Sequence, residues 1–209
     1  MEYLCLDIKY IYVHADRRNY YLLTILDVFS RRTVDQIFQK SIRQMDVINA
    51  FRRIQQLYGI KGVTIRNDNG SQFIANSVKQ YLRAAEANQE FTHVATPEEN
   101  SYIEAFHSIV QREVVDRYEF DSFYHAKHIL AAHRSWYDNR RNHRMIGMIP
   151  KEKWEQNIHI TEAKQRQFSE QPKAPLNETK NNEQTEYMIE QIQLTSNEYY
   201  TTNSQILSN

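Results

Sequence analysis

The segment Tyr3–Val13 (YLCLDIKYIYV) decides the fold, because its composition predicts a long strand. It also carries a carboxylate, Asp7, in the strand interior, where acidic residues are rare. Period-two alternation places Asp7 on the face shared with Cys5, opposite the apolar residues of even number. A carboxylate in a strand interior loses hydration and gains no packing. Two interpretations follow, namely an edge strand with a wet face or a carboxylate kept for its chemistry.

The pattern around this segment predicts an α/β fold. Three β-rich runs, 3–13, 20–29 and 33–38, are joined by short polar links and predict an antiparallel meander. The elements predicted after it are a helix over 45–58 closed by Gly59, a strand over 63–65, a helix over 74–87, a strand over 90–94, and helices over 100–117 and 123–139. We therefore expect a five-stranded mixed sheet, with three antiparallel strands followed by parallel ones, flanked by helices.

The charge balance hides a division of the chain into two parts. The 209 residues include 26 basic and 26 acidic residues, a net charge of zero. Residues 1–158 hold 22 basic and 19 acidic residues, whereas residues 159–209 hold 4 and 7, so the parts carry about +3 and −3. We expect an ordered core over 1–158 and a polar, acidic, disordered tail over 159–209.

Several classes of protein are excluded. The single cysteine, Cys5, excludes a disulfide within the chain and a cysteine-rich zinc site. The longest apolar run, 20–26, is far shorter than the roughly 20 residues of a membrane helix. We expect a cytoplasmic protein with no membrane partner.

Two further carboxylates occupy positions suited to chemistry. Asp68 follows the predicted fourth strand, and ligands of open α/β sheets bind beyond the carboxyl ends of strands. Glu104 borders the apolar stripe of a helix. Taken alone, Asp68 is equally typical of a turn and Glu104 of a helix surface. Asp27 is expected to cap a turn through Ser30 and Arg31.

Five blocks in one order carry a resemblance to a known family. They lie at 6–11, 26–31, 66–73, 96–108 and 136–143, and Asp68 and Glu104 are separated by 35 residues. With these blocks the chain resembles the integrase-core DDE transposases of bacterial insertion sequences, which are related to retroviral integrases and have an RNase H-like fold. The resemblance covers about residues 3–156.

The resemblance implies a polynucleotidyl transferase that acts on DNA in transposition. Asp7, Asp68 and Glu104 would be both the catalytic residues and the ligands of two Mg²⁺ or Mn²⁺ ions, since carboxylates are the oxygen ligands that Mg²⁺ prefers. Water would attack first and the freed DNA 3′-hydroxyl next. By position alone, Glu98 and Glu99 are alternative candidates for the third metal ligand. The sequence around Glu104 favours Glu104.

Contacts to DNA are carried over less directly. Many relatives have a lysine seven residues after the catalytic glutamate, where this chain has Gln111 followed by Arg112. The candidate DNA-binding residues are Asn69, Gln72, His107, Gln111, Arg112, Arg140, Arg141 and Arg144. The pairs at 17–18 and 31–32 are expected to be solvated arginines in turns.

Three functions remain open at this stage. The first is metal-dependent cleavage and strand transfer of DNA in the bacterial cytosol, by a homo-oligomer on DNA. Relatives usually carry a helix-turn-helix module ahead of the core, and this sequence opens only six residues before Asp7. Three explanations are open: the chain acts with a separate helix-turn-helix subunit, it is a truncated copy, or it is the second product of a split reading frame. The second function is an RNase H-like nuclease, and the third is a non-catalytic core that binds DNA or a protein.

Overall fold

The fold is described by a computed structural model over residues 1–92 and 100–156. Its strands are β1 (Tyr3–Val13), β2 (Arg18–Asp27), β3 (Thr33–Gln39), β4 (Thr64–Asn67) and β5 (Asn88–Phe91). Its helices are α1 (Gln44–Tyr58), α2 (Ser71–Ile74), α3 (Asn76–Ala84), α4 (Ser101–Val110), α5 (Phe123–Asn139) and α6 (Pro150–Glu155), and a π-helical turn, Gln111–Val115, continues α4. Among these residues, no helix is both long and apolar enough to cross a membrane.

One five-stranded sheet, in the order β3-β2-β1-β4-β5, organises the molecule. The pairs β1–β2 and β2–β3 are antiparallel, whereas β1–β4 and β4–β5 are parallel. This arrangement confirms the predicted mixed sheet. The long strand β1 is its centre, so β1 is not an edge strand.

The alternation along β1 separates two apolar layers. Leu4 and Leu6 pack in the layer that holds α1 and α3, where Phe51 is buried. Cys5 and Ile11 pack in the opposite layer, with residues of α4 and α5. Asp7 has the same parity as Cys5 and Ile11, so its side chain faces the α4–α5 layer, as the sequence predicts.

The helices depart from prediction at three places. A single helix predicted over 74–87 is divided into α2 and α3, because Ala75 has an extended ψ of 135°. The helix predicted over 100–117 widens into the π-helical turn at Gln111, which leaves Glu113 and Val114 buried side by side. The short helix α6 was not predicted; Pro150 begins it and its Trp154 packs edge-on against Tyr58.

Buried polar contacts attach α5 to the rest of the fold. Asp138 is 5% exposed and accepts hydrogen bonds from the backbone N–H (2.9 Å) and hydroxyl of Thr33 at the start of β3. Arg134 donates to the Thr33 carbonyl (2.9 Å) and to its hydroxyl (3.0 Å). The C-terminal half of α5 is thereby fixed to the start of β3.

A second buried cluster joins the π-helical turn to α5. Glu113 Oε2 lies 3.0 Å from His133 Nε2, and its other oxygen accepts a hydrogen bond from Arg141. Burial raises the pKa of Glu113, but the hydrogen bond from His133 and the charge of Arg141 outweigh burial and hold this pKa below its usual value. The ionised carboxylate is therefore the form that the fold stabilises.

We expect Glu113→Gln to lower the free energy of unfolding by about 3 kcal/mol, since it leaves the Arg141 charge half-buried without its counterion. The stabilisation by Glu113 is present above its usual pKa of 4.5 and is lost as the pH falls through the lower folded-state value. Urea unfolding at pH 7 measures the loss of stability, and repeating it at stepwise lower pH measures how the stabilisation by Glu113 depends on pH. Glu119→Gln, at an exposed position, is the control, and an equal effect of the two substitutions would contradict the assignment.

Candidate active site

Asp7 and Asp68 are brought together by the parallel pairing of β1 with β4. That pairing aligns Cys5 with Arg66, so Asp7, two residues later on β1, lies beside Asp68, which directly follows β4. The pKa of Asp68 is raised, chiefly by burial and further by the charge of Asp7, although a hydrogen bond from the Gly70 backbone opposes the rise. The two carboxylates therefore lie close enough to repel each other.

The loop after β4 holds Asp68 through short local contacts. The backbone N–H of Gly70 donates to Asp68 Oδ1 at 2.9 Å. Asn67, which is buried, donates to the Asp68 carbonyl at 2.6 Å and accepts from Gln89 at 3.0 Å. A Cβ at Gly70 would stand 2.9 Å from Asp68 Oδ1 and 2.4 Å from Gln72 Nε2. A larger residue at this position would therefore displace the side chains of Gln72 and Asp68.

His107 links α4 to the sheet beside Asp7. Its Nδ1 lies 3.4 Å from Asp7 Oδ2, and its Nε2 lies 3.4 Å from the hydroxyl of Thr24, the residue that pairs with Asp7 across β1 and β2. His107 is only 7% exposed. Its position suits an orienting contact to the Asp7 carboxylate better than a surface contact to a ligand.

Glu104 lies one turn before His107 on α4. It is exposed, and the buried side of this helix is formed by its neighbours Ile103 and Phe106. Over residues 1–92 and 100–156, no three His, Cys, Asp or Glu side chains form a group that could hold a metal ion. The fold therefore brings two of the three predicted carboxylates together and places the third at the start of a helix in the layer that they face.

A lysine that the sequence analysis did not consider lies on the same face. Lys9 is two residues after Asp7 on β1 and is half-buried. Burial lowers its pKa, and the charges of Asp116 and Asp7 oppose that effect. Asp116 in turn accepts a hydrogen bond from Gln111 Nε2 at 2.6 Å. The positive group on this face therefore comes from β1, whereas the resemblance to the family implies one at residue 111 or 112, after α4.

The other residues predicted to bind DNA are dispersed. Asn69 is exposed and donates to the Thr92 carbonyl at 3.3 Å, and Gln72 lies three residues later, in α2. Arg112, Arg140 and Arg144 are exposed. The guanidinium of Arg141, in contrast, is paired with Glu113 and lies 5.3 Å from the centre of the Trp136 ring.

The expectation that residues 31–32 are solvated is wrong. Arg31 lies 4.0 Å from the centre of the Tyr102 ring, and Arg32 lies 5.2 Å from that of Trp154. Both are partly buried, since these aromatic rings cover them. Arg17 and Arg18 are exposed, as predicted. The turn of Asp27 is also as predicted, because Asp27 accepts from the Ser30 hydroxyl at 2.6 Å.

Sequence reasoning missed Lys9, Thr24 and the Glu113–His133–Arg141 cluster. A signal for Glu113 exists, because it stands at helical spacing from Phe106 and would have been assigned to the buried stripe. No local pattern marks Thr24, whose role depends on the strand that pairs with it.

Two family models, each described as an integrase core domain, match residues 1–97 and 85–150. The chain belongs to the integrase core family. The first model covers Asp7 and Asp68, and the second covers Glu104. The resemblance inferred from the five sequence blocks is thereby confirmed.

Similar proteins of known sequence come from bacterial insertion elements. An uncharacterised 31.7 kDa protein of IS407 from Burkholderia multivorans is 26% identical over 61% of this chain and 46% of its own length. An uncharacterised 39.2 kDa protein of IS476 from Xanthomonas euvesicatoria is 26% identical over 71% of this chain and 43% of its own length. The transposase of IS904 from Lactococcus lactis is 23% identical over 63% of this chain and 53% of its own length. The integrase core chain spans about half the length of these relatives.

Solved structures with a similar fold are retroviral integrases. The HTLV-2 integrase catalytic core domain in complex with magnesium covers 72% of this chain and 94% of its own, with 15% identity and a TM-score of 0.56. The match to the catalytic core of BIV integrase covers 80% of this chain and 98% of that one, with 12% identity and a TM-score of 0.57. The match to the simian T-cell lymphotropic virus intasome covers 84% of this chain and 56% of that one, with 13% identity and a TM-score of 0.57. These similarities establish the RNase H-like fold that the resemblance predicts.

The pairing of the two aspartates is testable by titration. We expect Asp7→Asn to lower the pKa of Asp68 toward its usual value, because one of the charges that raise it is removed. Carboxyl ¹³C NMR across the acidic range measures this pKa. Asp35→Asn, on β3 in an ion pair with Arg53, is the control and should leave it unchanged. An unaltered Asp68 titration in Asp7→Asn would show that the two carboxylates do not share a site.

Proposed function

We propose that this integrase core chain is a DNA transposase that cleaves DNA to leave a 3′-hydroxyl and joins that end to a target. The proposal rests first on the juxtaposition of Asp7 and Asp68 at the centre of an integrase-like sheet. It is supported by the relatives encoded by insertion elements, one of which is described as a transposase. Its site of action would be the bacterial cytosol.

The donor set suits divalent metal ions. Carboxylate oxygens are the ligands that Mg²⁺ and Mn²⁺ favour, and two carboxylates close enough to repel each other gain from a cation between them. Asp7, Asp68 and Glu104 are the residues that would hold two Mg²⁺ or Mn²⁺ ions. Bound metal would supply activation of the attacking oxygen and stabilisation of the leaving oxygen in phosphodiester chemistry.

The residues of the chain have separate tasks in this proposal. Asp7 is held from both sides, by the Ile8 backbone N–H at 2.7 Å and by His107, so its carboxylate keeps one orientation. Asp68 is held by Gly70. Glu104 stands on the helix that carries His107, and small movements of that helix would change its distance from the two aspartates.

DNA would approach the face that Asp7 and Lys9 share. Lys9, Asn69, Gln72 and Arg112 offer polar or positive groups around it, and Arg140 and Arg144 extend the positive charge. The core has a net charge of only about +3, so DNA affinity would depend on a homo-oligomer or on a separate helix-turn-helix subunit.

A second candidate function is a non-catalytic core that binds DNA or a protein. It is favoured by the exposure of Glu104 and by the lack of a three-residue metal group in the part of the chain that is described. Calorimetric titration with Mn²⁺ separates the two functions. Binding that is lost in Glu104→Gln supports the transposase, and no binding at all supports the non-catalytic core.

The central test is cleavage of supercoiled plasmid DNA with Mg²⁺ or Mn²⁺. We expect nicking by the wild-type chain and none above background by Asp68→Asn, because the amide is a weaker ligand and carries no charge. Asp121→Asn, at an exposed position, should keep full activity. Undiminished nicking by Asp68→Asn would refute the proposal, and a preference for an RNA–DNA hybrid would reassign the activity to an RNase H-like nuclease.

A further test concerns His107. We expect His107→Gln to reduce Mn²⁺ affinity and nicking by about 10- to 100-fold, the usual effect of losing a group that orients a metal ligand. The exposed His128→Gln is the matched control. Equal activity of the two variants would show that His107 does not orient Asp7.

A further inference from the structure

The turn between β2 and β3 presents Arg31 in a fixed geometry. Asp27, 2% exposed, accepts hydrogen bonds from the Ser30 backbone N–H (2.8 Å) and hydroxyl (2.6 Å). The Arg31 N–H donates to the Asp27 carbonyl, and the Asp27 N–H donates to the Arg32 carbonyl, both at 2.9 Å. Arg31 itself has a φ of 64°, a left-handed conformation that is uncommon for arginine. The buried carboxylate of Asp27 thus supports a backbone geometry that aims one guanidinium.

That guanidinium lies on the first turn of α4. Its carbon is 4.0 Å from the centre of the Tyr102 ring, within the range of a cation–π contact. Its Nη1 is buried and has no hydrogen-bond partner among the described residues. A guanidinium that lacks hydration on one side interacts more strongly with an aromatic face than an exposed one does.

The same guanidinium lies at a junction of three elements. Its charge opposes the burial that raises the pKa of Cys5, on β1, to about 12. It also opposes the rise in the pKa of Tyr137, on α5, and adds to burial in lowering the pKa of His143. Arg31 therefore lies in contact with the start of α4 and within electrostatic range of β1 and of the end of α5.

The start of α4 has no side-chain cap among the described residues. The N-cap residue, Asn100, makes no side-chain capping hydrogen bond, and its Oδ1 is buried without a partner among the described residues. The first turn carries both Tyr102 and Glu104. The contact between Arg31 and Tyr102 ties this turn to the rigid β2–β3 connection.

We propose that Arg31 is a positioning residue that fixes the first turn of α4, through Tyr102, and so sets where the Glu104 carboxylate stands relative to Asp7 and Asp68. This inference rests on the proposed function for its effect on cleavage. It gives a physical role to the Asp27–Arg32 turn, which contains none of the three carboxylates.

The variants are chosen to respect the backbone. Arg31→Asn removes the guanidinium and tolerates the left-handed conformation, so loss of the turn does not confound the result. Arg17→Asn is the matched control, because Arg17 has a φ of 50° and lies in an exposed turn between β1 and β2. At the other partner, Tyr102→Phe keeps an aromatic face for Arg31, whereas Tyr102→Leu removes it.

Two measurements test the proposal. Hydrogen exchange of the amides 105–108, which depend on the first turn for their hydrogen bonds, should accelerate in Arg31→Asn and Tyr102→Leu but not in Arg17→Asn or Tyr102→Phe. In plasmid nicking, kcat should fall about 10- to 100-fold in the first two variants with little change in KM for DNA, as expected for a misplaced catalytic group. The double variant Arg31→Asn/Tyr102→Leu should be no worse than either single variant.

The outcomes separate this inference from the proposed function. If the wild-type chain does not nick DNA, the proposed function fails, and hydrogen exchange still decides whether Arg31 fixes the helix start. If the wild type nicks and Asp68→Asn does not, the proposed function stands. In that case, the role of Arg31 is overturned if Arg31→Asn has the same hydrogen exchange and the same kcat as Arg17→Asn. It is also overturned if Tyr102→Phe is as impaired as Tyr102→Leu.

Discussion

The two-sided pairing of β1 is the constraint on which the rest of the molecule depends. On one side β1 runs antiparallel to β2, and on the other it runs parallel to β4. The first pairing sets Thr24 opposite Asp7, and the second brings the end of β4, and with it Asp68, to the same place. A slip of one residue in either pairing would turn the partner side chain to the opposite face of the sheet. The register is maintained because β1 is buried in an apolar layer on both faces.

Charged groups in this fold divide into two kinds. Glu113 and Asp138 are buried with partners of opposite charge or with hydroxyl and backbone donors, and they attach α5 to its neighbours. Asp7 and Asp68, by contrast, are brought together by the pairing of β1 with β4, and the charge of Asp7 adds to burial in raising the pKa of Asp68. The first kind of carboxylate is stabilised by partners within the fold. The second kind repels its neighbour, an arrangement typical of functional sites.

Sequence reasoning performed best where a local pattern decides the outcome. The bounds predicted for β1 and α5 are those observed, because alternation and helical periodicity persist over 11 and 17 residues. The face of Asp7 and the turn of Asp27 follow from equally local rules. The contacts of Glu113 with His133 and of Arg31 with Tyr102 were missed, since each depends on a partner distant in sequence; the break at Ala75 is local, and no residue type in the sequence marks it. The sequence located Asp7 and Asp68 and indicated that His107 contacts either DNA or a metal ligand, but it did not reveal that Thr24 lies on the other side of His107.

A π-helical turn continues α4 and ends at a buried anchor. An α-helix advances about 100° per residue, and a π-helical turn accommodates one residue more than an α-helical turn. In this segment Val114 faces the core, and Glu113 faces His133 and Arg141. The helix that carries Glu104 in its first turn is therefore held at its far end by an ion pair, so its orientation depends on α5 as well as on the sheet.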